Sequence, residues 1–368
     1  ADVSAEPGEA VAAGAGAGAA RSGAGCSRSE VASRPRKIAL HPGRGALDDR
    51  TGLLLGGRRV RIKGRRARPH AFWRCAGACA GAVTLVMVAR VTPHRFVRLA
   101  ALPHGRRVLL RLAGADVRRF LQGILSADVA AVRPGQAQPA AILTVKGKIV
   151  AEVIVLGCAD GSLHLAVPAE AADEIGGLLD RHIIMDDVTL ARDDAAEFAV
   201  AWPGPVAGAG VEGLETRHPG PGVLLFGAPA ALAAALAGLE EVSAAEWDAR
   251  RIEAAAPAWG HEITPGVFPP EVGFVAAVSY DKGCFMGQEP LARIHARGQV
   301  NRVLVRVRAG TCPQGPVDLA APDRPQAGRW TTWAPEAGGG AIGLAIVHRS
   351  AATPGTTLAA EGIGAVEV

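Results

Sequence analysis

The hydrophobic pattern after about residue 92 restricts the fold of this chain more than any other feature. Its apolar and alternating runs are short, and tight turns join several of them, as in the hairpin pattern over residues 140–156. Short helical patterns lie between these runs, for example over residues 117–124, where apolar side chains recur at i, i+3, i+4 and i+7. Local helices mixed with hairpins predict an α+β fold rather than a doubly wound parallel sheet.

The pattern partly repeats along the chain and then changes. A second set of strands and helices follows residue 194, including a helix from about residue 244 that opens with a capping box, Ser243–Glu246. After residue 297, short alternating runs between Gly/Pro-rich turns predict a small β-barrel. The predicted domains are a low-complexity basic segment, 1–87, a first α+β module, 88–193, a second, 194–297, and a C-terminal β-barrel, 298–368.

The basic charge belongs to the N-terminal quarter of the chain. Residues 1–87 hold 15 Lys/Arg against 6 Asp/Glu, whereas residues 88–368 hold 25 against 29. Ala or Gly fills 16 of the first 30 positions, which predicts disorder. The basic run 58–68 is either a nucleic-acid patch or part of a targeting peptide, or it is a solvated tail or a stretch translated upstream of a true start near Met87. Without interleaved aromatic residues we favour the tail or the upstream stretch, and we expect no direct nucleic-acid binding.

An uncharged apolar run, residues 75–89, follows the basic stretch. It resembles a signal or anchor segment, but its fifteen residues fall short of the roughly 20 that span a bilayer, so we expect no membrane span. Only three of the six cysteines lie beyond residue 87, too few for a disulfide framework, which favours a reducing compartment. We therefore expect a cytoplasmic protein, or a mitochondrial matrix protein if residues 1–87 are a genuine transit peptide.

One stretch, residues 280–293, carries the strongest chemical signal. The chain shows no P-loop, dinucleotide-binding glycine fingerprint, HExxH or G-x-S-x-G, and its ten histidines are dispersed, so we expect no resident metal. Cys284 lies between Gly283 and Gly287, beside Lys282 and ahead of a short helical pattern. A nearby cation and a helix N-terminus both favour a thiolate, which predicts a reactive or metal-binding cysteine. The alternative is a small apolar side chain packed in a glycine turn.

The string KGCFMGQEPLAR resembles the K-G-C-[FY]-x-G-Q-E-x-x-x-R signature of the YgfZ family, folate-binding relatives of the glycine cleavage T-protein. The resemblance extends over about residues 92–368. Its eight-residue core, 282–289, is specific, and weaker segments occur in the family's order. These are FLQG with the following S-x-D near 120–128, the K-G-K turn at 146–148, the stretch 179–188, and the R-x-E pattern at Arg251–Glu253 with Pro257, where Ala255 replaces the usual glycine.

This resemblance implies two α+β modules and a β-barrel around a central tetrahydrofolate pocket. In T-proteins the glutamate of the R-x-E motif holds the pterin, and Glu253 is the matching residue. A carboxylate suits that role because it accepts two parallel hydrogen bonds from the pterin ring. T-proteins also carry an aspartate pair, which here reads Ala151-Glu152. Neighbouring side chains on a strand face opposite sides, so we expect that Glu152 does not replace an acid at position 151.

The leading hypothesis is a folate-dependent accessory factor that supports assembly or repair of iron–sulfur clusters in client enzymes, such as tRNA-modifying radical enzymes. Its partners would be those enzymes or cluster-assembly proteins, contacted transiently. The alternatives are a tetrahydrofolate-dependent aminomethyltransferase-like C1 transferase and a folate-binding module in which Cys284 only packs. The candidate residues are Cys284 and Lys282 for catalysis, and Glu253, Gly283, Gly287, Gln288, Glu289 and Arg293 for folate, with Arg293 facing either the folate tail or a partner's acid.

Overall fold

A computed structural model describes residues 94–368, apart from residues 205, 207, 299 and 337, together with the backbone of residues 54–55 and 58–59. By its contacts the chain divides into two compact units, Ala1–Thr84 and Leu85–Val368. In the first unit, β1 (Leu54–Leu55) pairs antiparallel with β2 (Arg58–Arg59). The predictions for segment 1–87, for the rest of the basic run and for the apolar run 75–89 lie outside the described residues.

A ten-stranded sheet forms most of the second unit. Its strands lie in the order β12-β3-β9-β11-β10-β5-β6-β7-β4-β8, and all neighbours are antiparallel except β10 with β5 and β12 with β3. The strands are β3 (Arg95–Arg98), β4 (Arg107–Ala113), β5 (Gln136–Leu143), β6 (Ile149–Gly157), β7 (Leu163–Pro168), β8 (Thr189–Asp193), β9 (Glu197–Trp202), β10 (Val211–Thr216), β11 (Gly222–Gly227) and β12 (Glu240–Glu241).

Among the described residues, five α-helices accompany the sheet. They are α1 (Val117–Ile124), α2 (Ala172–His182), α3 (Pro229–Leu236), α4 (Ala244–Glu253) and α5 (Gln288–Arg297). Short 3₁₀ turns cover Leu99–Ala101, Val129–Ala131, Ala169–Ala171, Pro269–Val272, Val275–Ala277 and Arg349–Ala351. The predicted capping box is confirmed, because the Ser243 hydroxyl accepts from the Glu246 amide while the Glu246 carboxylate accepts from the Ser243 amide. None of the described helices is both long and apolar enough to cross a membrane.

The remaining strands close into a six-stranded barrel, as the alternating pattern predicts. They run in the order β13-β16-β15-β14-β17-β18 around a core that includes the fully buried Trp330. Their bounds are β13 (Arg302–Ala309), β14 (Val317–Ala321), β15 (Arg324–Pro335), β16 (Ala341–His348), β17 (Thr357–Ala360) and β18 (Gly364–Glu367). Mixed helix–sheet structure with a C-terminal barrel is therefore confirmed, whereas the arrangement around a folate pocket stays a prediction.

The two halves of the large sheet exchange chain segments. Strand β3 precedes the other strands of this sheet in the chain but pairs with β9 and β12, in the half built mainly from residues 194–241. Conversely, Phe274, Phe285 and Leu291 pack in the core of the other half, beneath α1 and α2. The loop that carries Cys284 is thereby seated on the first α+β region of the chain. The domain boundaries drawn from the sequence remain a proposal.

Candidate functional site

The loop of Cys284 projects an exposed thiol from a firmly held backbone. Cys284 is solvent-exposed, whereas Phe285 beside it is buried in the core. The Met286 amide donates to the Gly123 carbonyl at 3.0 Å, which ties the loop to the end of α1. Gly287, with φ of 80°, is the N-cap of α5. This geometry leaves the sulfur accessible to a partner while the backbone on both sides of it is fixed.

Lys282 closes the C-terminal end of α1. Its ammonium donates to the carbonyls of Gln122, Leu125 and Ala127 at 2.6, 2.6 and 2.7 Å, and it lies 4.8 Å from the centre of the Phe285 ring. Burial lowers the pKa of Lys282 to about 8. All three ammonium protons have carbonyl acceptors, so the geometry gives Lys282 a positioning role for the Cys284 loop.

The two glycines of the motif serve different needs. Both have positive φ, 91° at Gly283 and 80° at Gly287. A Cβ on Gly283 would meet no atom within 4 Å, but one on Gly287 would lie 2.4 Å from the Thr144 carbonyl oxygen and 3.1 Å from the Gly147 Cα. The atoms that approach Gly287 closely therefore belong to the protein's own turn between β5 and β6.

The other motif side chains lie on α5. Gln288 begins this helix and is half-buried, and Glu289 and Arg293 form an i,i+4 ion pair at 2.8 Å on its surface. Both members of the pair are mostly exposed, 81% and 66%, so the pair adds little to stability. Neither lines the two cavities described below. This position of Arg293 suits contact with a partner better than contact with a buried ligand.

Glu253 lines a wide cleft between α4 and the barrel strand β13. The cleft has a volume of about 800 Å³, and its cationic side chains include Arg250, Arg306 and Arg308. Arg250 stacks over the Trp202 ring at 4.5 Å, and Arg306 reaches the Glu253 carbonyl at 3.5 Å. The cleft thus combines the exposed carboxylates of Glu253, Glu246 and Glu367 with an aromatic ring and several guanidinium groups. Its lining does not include the Cys284 loop.

A second, smaller cavity of about 80 Å³ lies against the opposite face of α4. Arg107 and Glu152 meet there at 2.8 Å, and both side chains are more than nine-tenths buried. Burial also lowers the pKa of His218, which lines the same cavity, and its Nε2 lies 3.0 Å from the Pro257 carbonyl. Ala151, by contrast, packs in the apolar core. The carboxylate that faces the cavity is therefore Glu152, and an acid at position 151 would have pointed into the core.

Sequence reasoning missed a buried polar cluster that joins α4 to the barrel. Glu262 is fully buried, and its carboxylate accepts from the hydroxyls of Thr331 and Thr332, both at 2.6 Å, and from the Ala258 amide at 3.0 Å. It also pairs with the buried Arg251 at 3.2 Å. The sequence contains one signal for this cluster: the acid Glu262 stands directly before Ile263 in an apolar stretch. Because Arg251 is committed to this cluster, Glu253 is the residue of the R-x-E pattern that faces solvent.

The fold defines the class of this protein. Aminomethyltransferase T of the glycine cleavage system from Bartonella henselae has the same fold, with a TM-score of 0.63 at 19% identity over 75% of this chain and 85% of that one. That likeness concerns the fold alone. No protein-family model matches the chain.

Sequence relatives define the family. The chain is 30% identical over 224 residues to the tRNA-modifying protein YgfZ of Sodalis glossinidius, an alignment covering 53% of this chain and 67% of that protein. It is 28% identical over 229 residues to the mitochondrial iron–sulfur cluster assembly factor IBA57 of Homo sapiens, covering 55% and 64%. The alignments thus span about two thirds of these relatives' length. The chain belongs to the YgfZ/GcvT-like family, which has an iron–sulfur assembly branch.

Proposed function

We propose that this chain is a folate-binding accessory factor that supports the assembly or repair of iron–sulfur clusters in client enzymes. The observation that carries the proposal is the exposed thiol of Cys284 on a loop fixed by Lys282, by the Met286 amide and by Gly287. An exposed side chain contributes little packing, which argues against a purely structural cysteine. Because the backbone of the loop is already fixed, a protein that binds the sulfur does not have to pay the conformational entropy of ordering this loop.

Cys284 acts on a cluster that another protein supplies. Stable ownership of a cluster normally takes four cysteine ligands. In residues 94–368 as described, no three His, Cys, Asp or Glu side chains lie together as a metal site, and Cys158 is buried. The cluster is therefore cargo: the Cys284 thiol would lose its proton to solvent, and the thiolate would replace one ligand of the supplying protein on one iron atom. A ligand of the client would in turn replace the Cys284 thiolate.

The cleft beside Glu253 fits a reduced folate. Its volume of about 800 Å³ lies within the ~300–1,000 Å³ usual for small-molecule sites. The Glu253 carboxylate is an acceptor for the paired N–H donors of a pterin, and Arg306 and Arg308 are donors for the carboxylates of the glutamate tail. When bound, tetrahydrofolate supplies a carrier of one-carbon units. The chain's own residues bind and orient it.

Calorimetric titration with tetrahydrofolate tests this part of the proposal. Glu253→Ala should weaken binding at least tenfold, since it removes a charged acceptor, whereas the control Glu361→Ala, an exposed acid on the barrel, should bind like the wild type. Equal affinity in all three proteins removes Glu253 from the folate site.

The clients and the compartment are part of the same proposal. The names of the YgfZ and IBA57 relatives refer to tRNA modification and to iron–sulfur cluster assembly in mitochondria. We propose tRNA-modifying radical enzymes or cluster-assembly proteins as transient partners, in the cytoplasm, or in the mitochondrial matrix if residues 1–87 are a transit peptide. Arg293, exposed on α5 beyond Glu289, would meet an acid of the partner.

A tetrahydrofolate-dependent C1 transferase is the second candidate. The fold shared with aminomethyltransferase T and the orientation of Glu152 toward a cavity favour it. Against it, the Arg107 guanidinium already takes up one oxygen of the Glu152 carboxylate, at 2.8 Å. Product formation from an aminomethyl donor and tetrahydrofolate, lost in Glu152→Gln, would select this candidate. We expect no turnover.

A further inference from the structure

Two segments that are far apart in the sequence form one surface. The turn between β5 and β6, residues 144–148, lies directly against the start of α5. A Cβ on Gly147 would lie 3.0 Å from the Gly287 carbonyl oxygen and 3.3 Å from the Pro290 Cβ. Cys284 precedes Gly287 by three positions, so the Cα atoms of the two residues lie no more than about 11 Å apart. The turn and the Cys284 loop are therefore close enough for one partner to cover both.

The turn is rigid and presents an apolar side chain to solvent. The Thr144 amide donates to the Lys148 carbonyl at 2.8 Å, and the Gly147 amide donates to the Thr144 carbonyl at 2.8 Å. At its tip, Val145 is 76% exposed. Covering this apolar side chain with a partner surface would lower the free energy of the complex.

The charge around this tip selects the partner. Lys146 and Lys148 are both exposed, and across residues 94–368 as described neither forms an ion pair with a carboxylate. The Lys148 ammonium lies 5.6 Å from the centre of the Phe268 ring, within the range of a cation–π contact. On α5, Glu289 is already paired with Arg293. Two cations beside an apolar tip favour an acidic partner surface, which they would attract over several ångströms.

We propose that residues 144–148 and the loop of Cys284 together form a docking surface for an acidic segment of an iron–sulfur protein. This surface, the thiol-turn surface, rests on the proposed function and adds the contact that places a partner's cluster next to the sulfur. In the complex, the partner would bury Val145, and Lys146 and Lys148 would orient the partner's acidic segment. Cys284 would lie where the partner's cluster arrives.

Variants that replace the chromosomal copy test the thiol-turn surface. The readout is the activity of iron–sulfur enzymes in the cells. Lys146→Glu and Val145→Asp should each lower client activity at least tenfold, and Lys146→Arg should keep it. The matched controls are Arg324→Glu, a charge reversal on the barrel, and Ile184→Asp, an acid in place of an apolar side chain that is 83% exposed; both should stay within twofold of the wild type.

The same cell assay distinguishes an error in the docking surface from an error in the proposed function. If Lys146→Glu and Val145→Asp match their controls while Cys284→Ala loses activity, the docking surface is wrong and the proposed function stands. If Cys284→Ala also keeps activity, the proposed function falls. Both surface variants should unfold at the wild-type urea midpoint and keep the wild-type alkylation rate at Cys284, because their side chains are exposed. Lost activity combined with a lowered midpoint would count as misfolding and against the inference.

Discussion

Alanine at Gly287 would disturb the contact on which the position of the Cys284 loop depends, and Gly283 offers a matched control. Both glycines have positive φ, so either alanine costs about 1–2 kcal/mol of backbone strain. At Gly283 nothing else is added, because the new Cβ meets no atom within 4 Å. At Gly287 the Cβ would lie 2.4 Å from the Thr144 oxygen, and relieving such a clash costs about 1–3 kcal/mol more.

Urea unfolding of the two variants measures the difference directly. We expect Gly283→Ala to lose about 1–2 kcal/mol and Gly287→Ala about 2–5 kcal/mol, with faster alkylation of Cys284 only in the latter, because its loop must move away from the turn. Equal losses in the two variants would refute the reasoning, since they would show that the turn between β5 and β6 does not hold Gly287.

Three further predictions follow from the same contacts. Glu262→Ala should lower the free energy of unfolding by about 3–5 kcal/mol because it leaves Arg251 buried without its partner, whereas loss of an exposed acid should cost under about 0.5 kcal/mol; urea unfolding compares them. Between pH 8 and 10.5 the folded chain binds fewer protons at Lys282 than the unfolded chain does, because the pKa of Lys282 is lowered in the folded state. The free energy of unfolding of the wild type, relative to Lys282→Met, should therefore rise across that window. Urea unfolding at pH 7.5 and 9.5 measures this difference, and a fall would contradict the lowered pKa. Iodoacetamide followed by mass spectrometry should label Cys284 rapidly and Cys158 only on unfolding, and equal rates would place the two thiols in similar surroundings.

Local signals in the sequence predicted much of the fold. The capping box of α4, the apolar face of α1 and the alternating barrel strands each depend on residues close together in the chain, and the structure confirms them. Strand β10 was missed, because its glycine and acidic residues weaken the alternation. Its parallel pairing with β5, through Glu215 opposite Gln136, joins the two halves of the sheet and has no local signature.

The site shows the same division between local and distant information. The motif identified Cys284, and its exposure follows from the glycine-flanked loop. The partners of Lys282, however, are carbonyls about 160 residues away, and the partner of Gly287 is a turn about 140 residues away. The sequence also led us to expect Glu253 and Cys284 in one pocket, whereas the cleft that Glu253 lines does not include the thiol. Such distances depend on tertiary packing, which spacing along a single sequence does not reveal.

The most direct test of the account is the activity of iron–sulfur enzymes in cells that carry Cys284→Ala in place of the native protein, measured beside cells that carry Cys312→Ala. Cys312 is a half-buried thiol on the barrel and serves as a control for loss of any sulfur atom. We predict that client activity falls severely with Cys284→Ala and stays at the wild-type level with Cys312→Ala. Wild-type activity with both variants would contradict the assignment of the working thiol to position 284.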